Sequence, residues 1–273
     1  MKTRIISGVV GVIILIMVLA VFNTPLFNLA VALIAMMAVY EVISALGKEH
    51  KTGLLAISFL FVAFVSCFDL LPGAGLSHMA LAAFVYVFAM LCNTVFLHGI
   101  VSFADTCVVI VETLAILTCF GLLIFLRSFA GPHAIYYIVV ALLCAWGADT
   151  GAYFAGRFFG KHKLAPKVSP KKTIEGSVGG AIVCMVLVIA VTSVYGYIAT
   201  CNVNYIALCG ISMVSALIGM LGDLIASSLK REHDVKDYGW IMPGHGGIMD
   251  RFDSVLFTVP AVVLLSMQFP IVF

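Results

Sequence analysis

Apolar runs long enough to cross a bilayer follow one another along the whole chain, and this constrains the fold more than any single motif does. A hydrocarbon core about 30 Å thick is spanned by about 20 helical residues. Nine runs approach that length, at residues 5–22, 26–46, 54–71, 79–97, 107–126, 134–156, 176–199, 204–229 and 251–271. Only 10% of the 273 residues are charged and 63% are hydrophobic, whereas a soluble domain carries about 25% charge. The sequence therefore predicts an all-α polytopic membrane protein of about nine transmembrane helices and excludes an ordinary soluble domain. Lys2 and Arg4 ahead of the first run resemble a secretory leader. However, the run is long for that purpose, and Leu19-Ala20-Val21-Phe22 before Asn23-Thr24-Pro25 is a poor cleavage site, so it is taken as a retained span.

Nine spans sort the cations. Of the 15 Lys and Arg residues, 14 fall on one side and only Arg127 on the other. Positive loops stay cytoplasmic, so the N-terminus is expected in the cytoplasm and the C-terminus outside. The polar loops 157–175 and 230–250 then face the cytosol. The eight Cys residues lie singly, mostly inside apolar runs, without the paired spacing of a zinc site or disulfide framework, and are expected to act as small buried hydrophobes.

Polar chemistry concentrates in the second half. Residues 1–133 are accordingly expected to be mainly a scaffold of transmembrane helices, and 134–273 a catalytic transmembrane region with two cytoplasmic polar loops. Among the acids of the first half, Glu41, Asp69 and Asp105 lie near predicted span ends, where water is available, and Glu112 lies a few residues deeper.

Asp149 precedes Arg157 by eight residues, about 12 Å along a helix. Gly147 and Gly151, Ala148 and Ala152, then Ala152 and Gly156 are four apart and would let a neighbouring helix approach closely. The basic loop that follows ends in a Ser169-Pro170 turn with Lys172, Thr173 and Glu175 at the start of the next span, a combination suited to phosphate. A blander use is attraction of anionic lipid, at about 1 kcal/mol per cation. Asp223 shares a helix face with Gly219 and Ser227, about 10 Å below Lys230. Pro243-Gly244-His245-Gly246-Gly247 can aim several backbone N–H groups at one anion, with a helix N-terminus behind it. Asp250 and Asp253 follow on one face of the first turn. Carboxylates brought to one depth by separate helices and ringed by Lys and Arg suit a hard divalent cation such as Mg²⁺ that also holds a substrate phosphate. Residue chemistry favours phosphoryl or nucleotidyl transfer on a membrane substrate, and leaves transport or a structural role open.

Ser227, Leu229-Lys230-Arg231, Lys236-Asp237, Gly239, Pro243, His245-Gly246-Gly247, Asp250-Arg251 and Asp253 together resemble, without a gap, the C-terminal signature of the phosphatidate cytidylyltransferases, also called CDP-diacylglycerol synthases. Met242 departs from the Ile, Leu or Phe more usual in that family. Asp149-x-Gly151-Ala152-Tyr153, Gly160-Lys161 and Ser169-Pro170-x-Lys172-Thr173-x-Glu175-Gly176 are similar to the family as well, whereas the first five spans match only in hydropathy and length.

The resemblance implies that CTP and phosphatidate give CDP-diacylglycerol and pyrophosphate with Mg²⁺, with room for a second metal ion. It implies Asp223 and Asp250 as metal ligands, with Asp253, Asp149 and Lys172 as further catalytic residues. Substrate contacts then fall to Ser169, Thr173, Glu175, Ser227, Lys230, Arg231, Lys236, Asp237, His245, Gly246, Gly247 and Arg251. It further implies a bacterial cytoplasmic (inner) membrane, a site facing the cytoplasm, contact with membrane lipid, a homodimer and no nucleic-acid partner. A CTP-dependent lipid kinase of polyprenol type would need the same metal and basic loops, and an ion or phosphate transporter would use the intramembrane acids.

Overall fold

The computed structural model describes residues 2–47, 52–73, 75–241 and 246–273, and only the backbone of residues 2–5. Helices dominate: α1 (Lys2–Ala20), α2 (Pro25–Ala45), α3 (Thr52–Ser66), α4 (Leu76–Phe96), α5 (Phe103–Phe129), α6 (Ala134–Leu142), α7 (Ala148–Phe159), α8 (Ile174–Ala199), α9 (Tyr205–Glu232), α10 (Met249–Phe252) and α11 (Val255–Gln268). Among the described residues, six stretches are long and apolar enough to cross a membrane: Pro25–Ala45, Leu76–Phe96, Phe103–Phe129, Gly131–Phe159, Ile174–Ala199 and Tyr205–Glu232. The fourth runs through α6 and α7, joined by the π-helical turn Leu143–Gly147. Ile6–Ala20 and Thr52–Ser66 are apolar but shorter, and α11 has 14 residues. Leu60, Phe84, Phe88 and Ile206 are among many large apolar side chains left exposed, as expected where lipid is the solvent.

The boundaries have local causes. Pro25 occupies the first turn of α2, where its missing N–H costs no helical bond. The Thr173 side chain accepts the N–H of Gly176 and caps α8. Lys230 and Arg231 sit in the last turn of α9, facing the negative end of its dipole. The expected span 251–271 is broken near its start: α10 stops at Phe252, and Asp253 Oδ1 accepts the N–H of Ser254 at 2.8 Å before α11 resumes. This is the local competition with helical bonding that Asp side chains offer.

The all-α expectation needs one amendment. Within the basic loop, β1 (Lys163–Ala165) and β2 (Ser169–Thr173) form an antiparallel hairpin, with Lys163 opposite Thr173 and Ala165 opposite Ser169.

Contacts divide the chain into two compact units, Met1–Phe125 with His233–Arg251, and Leu126–Glu232 with Phe252–Phe273. In the first unit α3 packs against α2 and α4. Asn28 of α2 donates to the carbonyl of Ser66 at 2.8 Å and to Asp69. Phe61 and Tyr86 stack with centroids 4.4 Å apart. In the second unit α8 packs against α7 and α9, and α9 against α11. The small-residue face expected on α7 is where α8 approaches: a Cβ on Gly180 would lie 2.6 Å from the carbonyl oxygen of Ala148.

Candidate active site

In the second unit, the hairpin delivers the polar residues of the basic loop to α9. Glu175, in the first turn of α8, accepts the backbone N–H groups of Lys161 and His162 at 3.0 and 3.1 Å, and His162 Nδ1 lies 2.6 Å from its other oxygen. Thr173 is buried, and a Cβ on Gly156 or Gly160 would press on its hydroxyl. These two residues, expected at the substrate, hold the hairpin onto α7 and α8. Because α8 packs on α9, Lys172 can then reach across: its Nζ lies 2.6 Å from Asp223 Oδ2 and donates to the carbonyl of Met220 at 3.3 Å. Ser227 Oγ donates to Asp223 Oδ1 at 3.2 Å, as their four-residue spacing predicts.

α9 also lies close to the start of α11. A Cβ at Gly219 would strike Thr258, and one at Gly222 would strike the Phe257 ring and lie 3.1 Å from the Asp253 carbonyl. This approach brings Asp253 beside the acids of the unit. Its carboxyl, 8% exposed, feels the like charge of Asp223 and, more weakly, of Asp149, against the opposite charge of Lys230. Lys230 Nζ, itself buried, stands 4.0 Å from Asp253 Oδ2. Lys172 with Asp223 and Lys230 with Asp253 thus lie in one part of the second unit, where Asp223 and Asp253 are near enough to interact.

In the first unit, the glycine turn is organised by two carboxylates. Asp250 Oδ2 accepts the N–H groups of Tyr238 at 2.8 Å and Gly247 at 2.9 Å. Glu41 of α2 accepts those of Ile248 at 3.0 Å and Met249 at 2.8 Å, one on each oxygen. The N–H of Gly247, expected to face a substrate anion, is therefore engaged by the protein's own Asp250. Gly246, with φ +86°, has the left-handed backbone that favours glycine. Lys236, Asp237, Arg231 and Arg251 are exposed, Ser169 is half-buried, and His245 lies outside the described residues.

The cytidylyltransferase family model matches residues 2–269. The chain belongs to the cytidylyltransferase family. Two similar proteins named phosphatidate cytidylyltransferase come from Bacillus subtilis (strain 168) and Staphylococcus haemolyticus (strain JCSC1435). Each is 34% identical to this chain, over 272 and 274 residues, covering 98% of the chain and 98% and 100% of the relatives. A third of the same name, from Staphylococcus aureus (strain COL), is 45% identical over 136 residues, 50% of this chain and 51% of its own.

For a cytidylyltransferase the donor chemistry of the second unit fits a hard cation. Among the described residues, no three His, Cys, Asp or Glu side chains form a ready-made metal cage. Mg²⁺ does not need one, since it usually takes one or two carboxylates and fills its octahedron with water and substrate phosphate. In the second unit Asp223 and Asp253 are acids that could offer oxygens to such an ion, and Asp250 has one oxygen, Oδ2, accepting two N–H groups of the turn.

In the first unit, the residue that the sequence did not connect with the signature turn is Glu41. Expected near water at a span end, it is 2% exposed and bonded to the signature turn. An acid inside an apolar helix is a signal in itself, but its partners lie 207 and 208 residues away.

Proposed function

We infer that this chain transfers the cytidylyl group of CTP to phosphatidate, giving CDP-diacylglycerol and pyrophosphate for phospholipid synthesis. The observation that carries this is the likeness over nearly the full length to proteins named phosphatidate cytidylyltransferase, together with the family match over residues 2–269. The acid and lysine cluster supports it, because both substrates bring phosphates.

A phosphate oxygen of phosphatidate attacks the α-phosphorus of CTP in line. The new O–P bond forms as the bond from the α-phosphorus to the bridging oxygen breaks, and the electron pair leaves with pyrophosphate. The nucleophile is already an anion, so the protein need not supply a strong base. Its contribution is positioning and charge stabilisation. Lys172, Lys230 and Arg231 are proposed to meet the charge that accumulates on the phosphates. Ser227 orients Asp223 through its hydrogen bond, and the Thr173 cap and Glu175 clamp keep the hairpin in place. Lys236, His245 and Arg251 are proposed as further phosphate contacts on the strength of the family resemblance. Mg²⁺, held by Asp223 with Asp250 as the resemblance implies, or with Asp253, would neutralise phosphate charge. A second ion belongs to the same proposal.

Nine spans with a cytoplasmic N-terminus and an outer C-terminus are part of this proposal, supported by the distribution of 14 cations against 1. Such an arrangement in a bacterial cytoplasmic membrane would let CTP enter from the cytosol and phosphatidate by lateral diffusion. A homodimer rests on the family resemblance.

The decisive experiment incubates the purified protein with phosphatidate in mixed micelles, Mg²⁺ and CTP labelled at either the α- or the γ-phosphate. Cytidylyl transfer puts α-label into lipid and γ-label into pyrophosphate. A lipid kinase puts γ-label into lipid and releases CDP, and a transporter consumes no nucleotide. Either of the last two outcomes refutes the proposal.

A further inference from the structure

Glu41 lies in the half of the chain expected to be scaffold, yet its environment is built around its charge. Both carboxylate oxygens are used, Oε1 by the N–H of Ile248 and Oε2 by that of Met249. Two consecutive amides thus meet one planar acceptor, a geometry that an amide side chain cannot reproduce. A Gln carbonyl could keep one N–H, but its NH₂ would face the other donor.

The signature glycines make room for this contact. A Cβ on Gly239 or on Gly247 would collide with the Glu41 carboxyl group, and one on Gly246 would lie 2.9 Å from Asp250 Oδ2. Gly239 and Gly247 are thereby explained by clearance for Glu41, and Gly246 by its backbone conformation together with the nearness of Asp250. Four N–H groups, from Tyr238, Gly247, Ile248 and Met249, meet the two carboxylates of Glu41 and Asp250. The N–H of Arg251 in turn bonds the carbonyl of Ile248 at 2.9 Å, so the residue carrying the cation is tied to the residue that Glu41 holds.

We propose that Glu41 is a positioning residue for cytidylyl transfer: by holding the amides of Ile248 and Met249 it fixes the turn that presents Asp250 and Arg251. The proposal rests on the function inferred above, and it gives α2 a part in catalysis without any contact with substrate.

The test uses the full chain in detergent micelles with Glu41→Gln and Glu41→Asp. Hydrogen exchange of the peptide containing Ile248 and Met249 is measured beside kcat, KM for both substrates and the thermal unfolding midpoint. In Glu41→Gln these amides should exchange faster while the midpoint holds. kcat should fall about 10- to 100-fold, the scale of a misplacement near 1 Å, while both KM values stay within about threefold, since binding is not what is lost. Glu41→Asp keeps both oxygens and should restore part of kcat. A Glu41→Gln protein with kcat within about twofold of the unsubstituted chain overturns the role. So does a loss of kcat that only follows loss of folded protein in both variants. The exchange measurement needs no substrate, so unchanged protection at Ile248 and Met249 overturns the contact whatever the enzyme transfers. Absence of labelled lipid from the unsubstituted chain instead overturns the transfer reaction, and the catalytic role of Glu41 with it.

Discussion

Lys172 on β2 and Asp223 on α9 stand 2.6 Å apart, and this ion pair links the two polar stretches of the second unit. Their side chains are 23% and 24% exposed, and an ion pair that is not fully buried contributes only about 0–1 kcal/mol to stability. With so little to add to stability, the pair makes more sense as function. An ammonium group that releases Asp223 can meet a phosphate oxygen, and the carboxylate is then available to a divalent cation.

Lys172→Ala should accordingly leave the thermal unfolding midpoint almost unchanged, with a stability loss within about 1 kcal/mol, while incorporation of labelled cytidylyl groups falls by about 100-fold or more. Asp223→Asn should abolish turnover in a protein that stays folded. Near-normal activity in either variant removes that residue from the site.

Asp253→Asn separates charge from structure. The Asn carbonyl can still accept the N–H of Ser254, which keeps the break between α10 and α11, while the negative charge beside Asp223 is lost. If Asp253 helps hold Mg²⁺, the Mg²⁺ concentration for half-maximal activity should rise about tenfold or more, in line with loss of a metal-binding contact, with the folded fraction unchanged. Chelation should stop the unsubstituted enzyme, and added Mg²⁺ should restore it. A Mg²⁺ titration that superimposes on that of the unsubstituted protein assigns the cation elsewhere.

Much of this was legible in the sequence, and what was not has physical reasons. Long helices followed from hydropathy alone, and the spacing of Gly147, Gly151 and Gly156 foretold a closely packed neighbouring helix, though not that it would be α8. The hairpin did not, because β1 has three residues and β2 has five, rich in Lys and Ser, too short and polar for an alternating pattern. Lys172 and Asp223 could each be named, but their pairing depends on α8 packing against α9, which no local spacing encodes. Glu41 could be flagged as an acid in a span, yet only folding shows that its partners belong to the signature turn. Thr173 and Glu175 show a use that the phosphate-like pattern did not suggest: they also serve as a helix cap and a hairpin clamp.

The α7–α8 contact gives a stability prediction independent of chemistry. Gly180 faces the Ala148 carbonyl, the Ala152 methyl and the end of Met220, with the first of these on rigid helical backbone. Gly180→Val should therefore force the helices apart and cost about 1–3 kcal/mol, the usual range for overpacking. Gly210, with open space around its would-be Cβ, should accept Ala without such a loss. Unfolding midpoints of the two variants in detergent provide the comparison, and equal midpoints would contradict the tight contact.

The hairpin also predicts its own side of the membrane. Lys161, Lys163, Lys167 and Lys171 are exposed around it, and short loops bearing this much positive charge stay cytoplasmic. The exposed turn at Pro132 should lie on the other face. With the exposed Cys67 replaced by Ala, a Lys167→Cys protein should react with a membrane-impermeant maleimide in inside-out vesicles but not in intact cells. Pro132→Cys should show the opposite pattern. Because Lys172 and Asp223 are tied to this hairpin and α9, the result also bears on which compartment supplies the nucleotide. Labelling of Lys167→Cys from outside would put the lysine and carboxylate cluster on the face away from cytosolic CTP, and the proposed reaction could not proceed there.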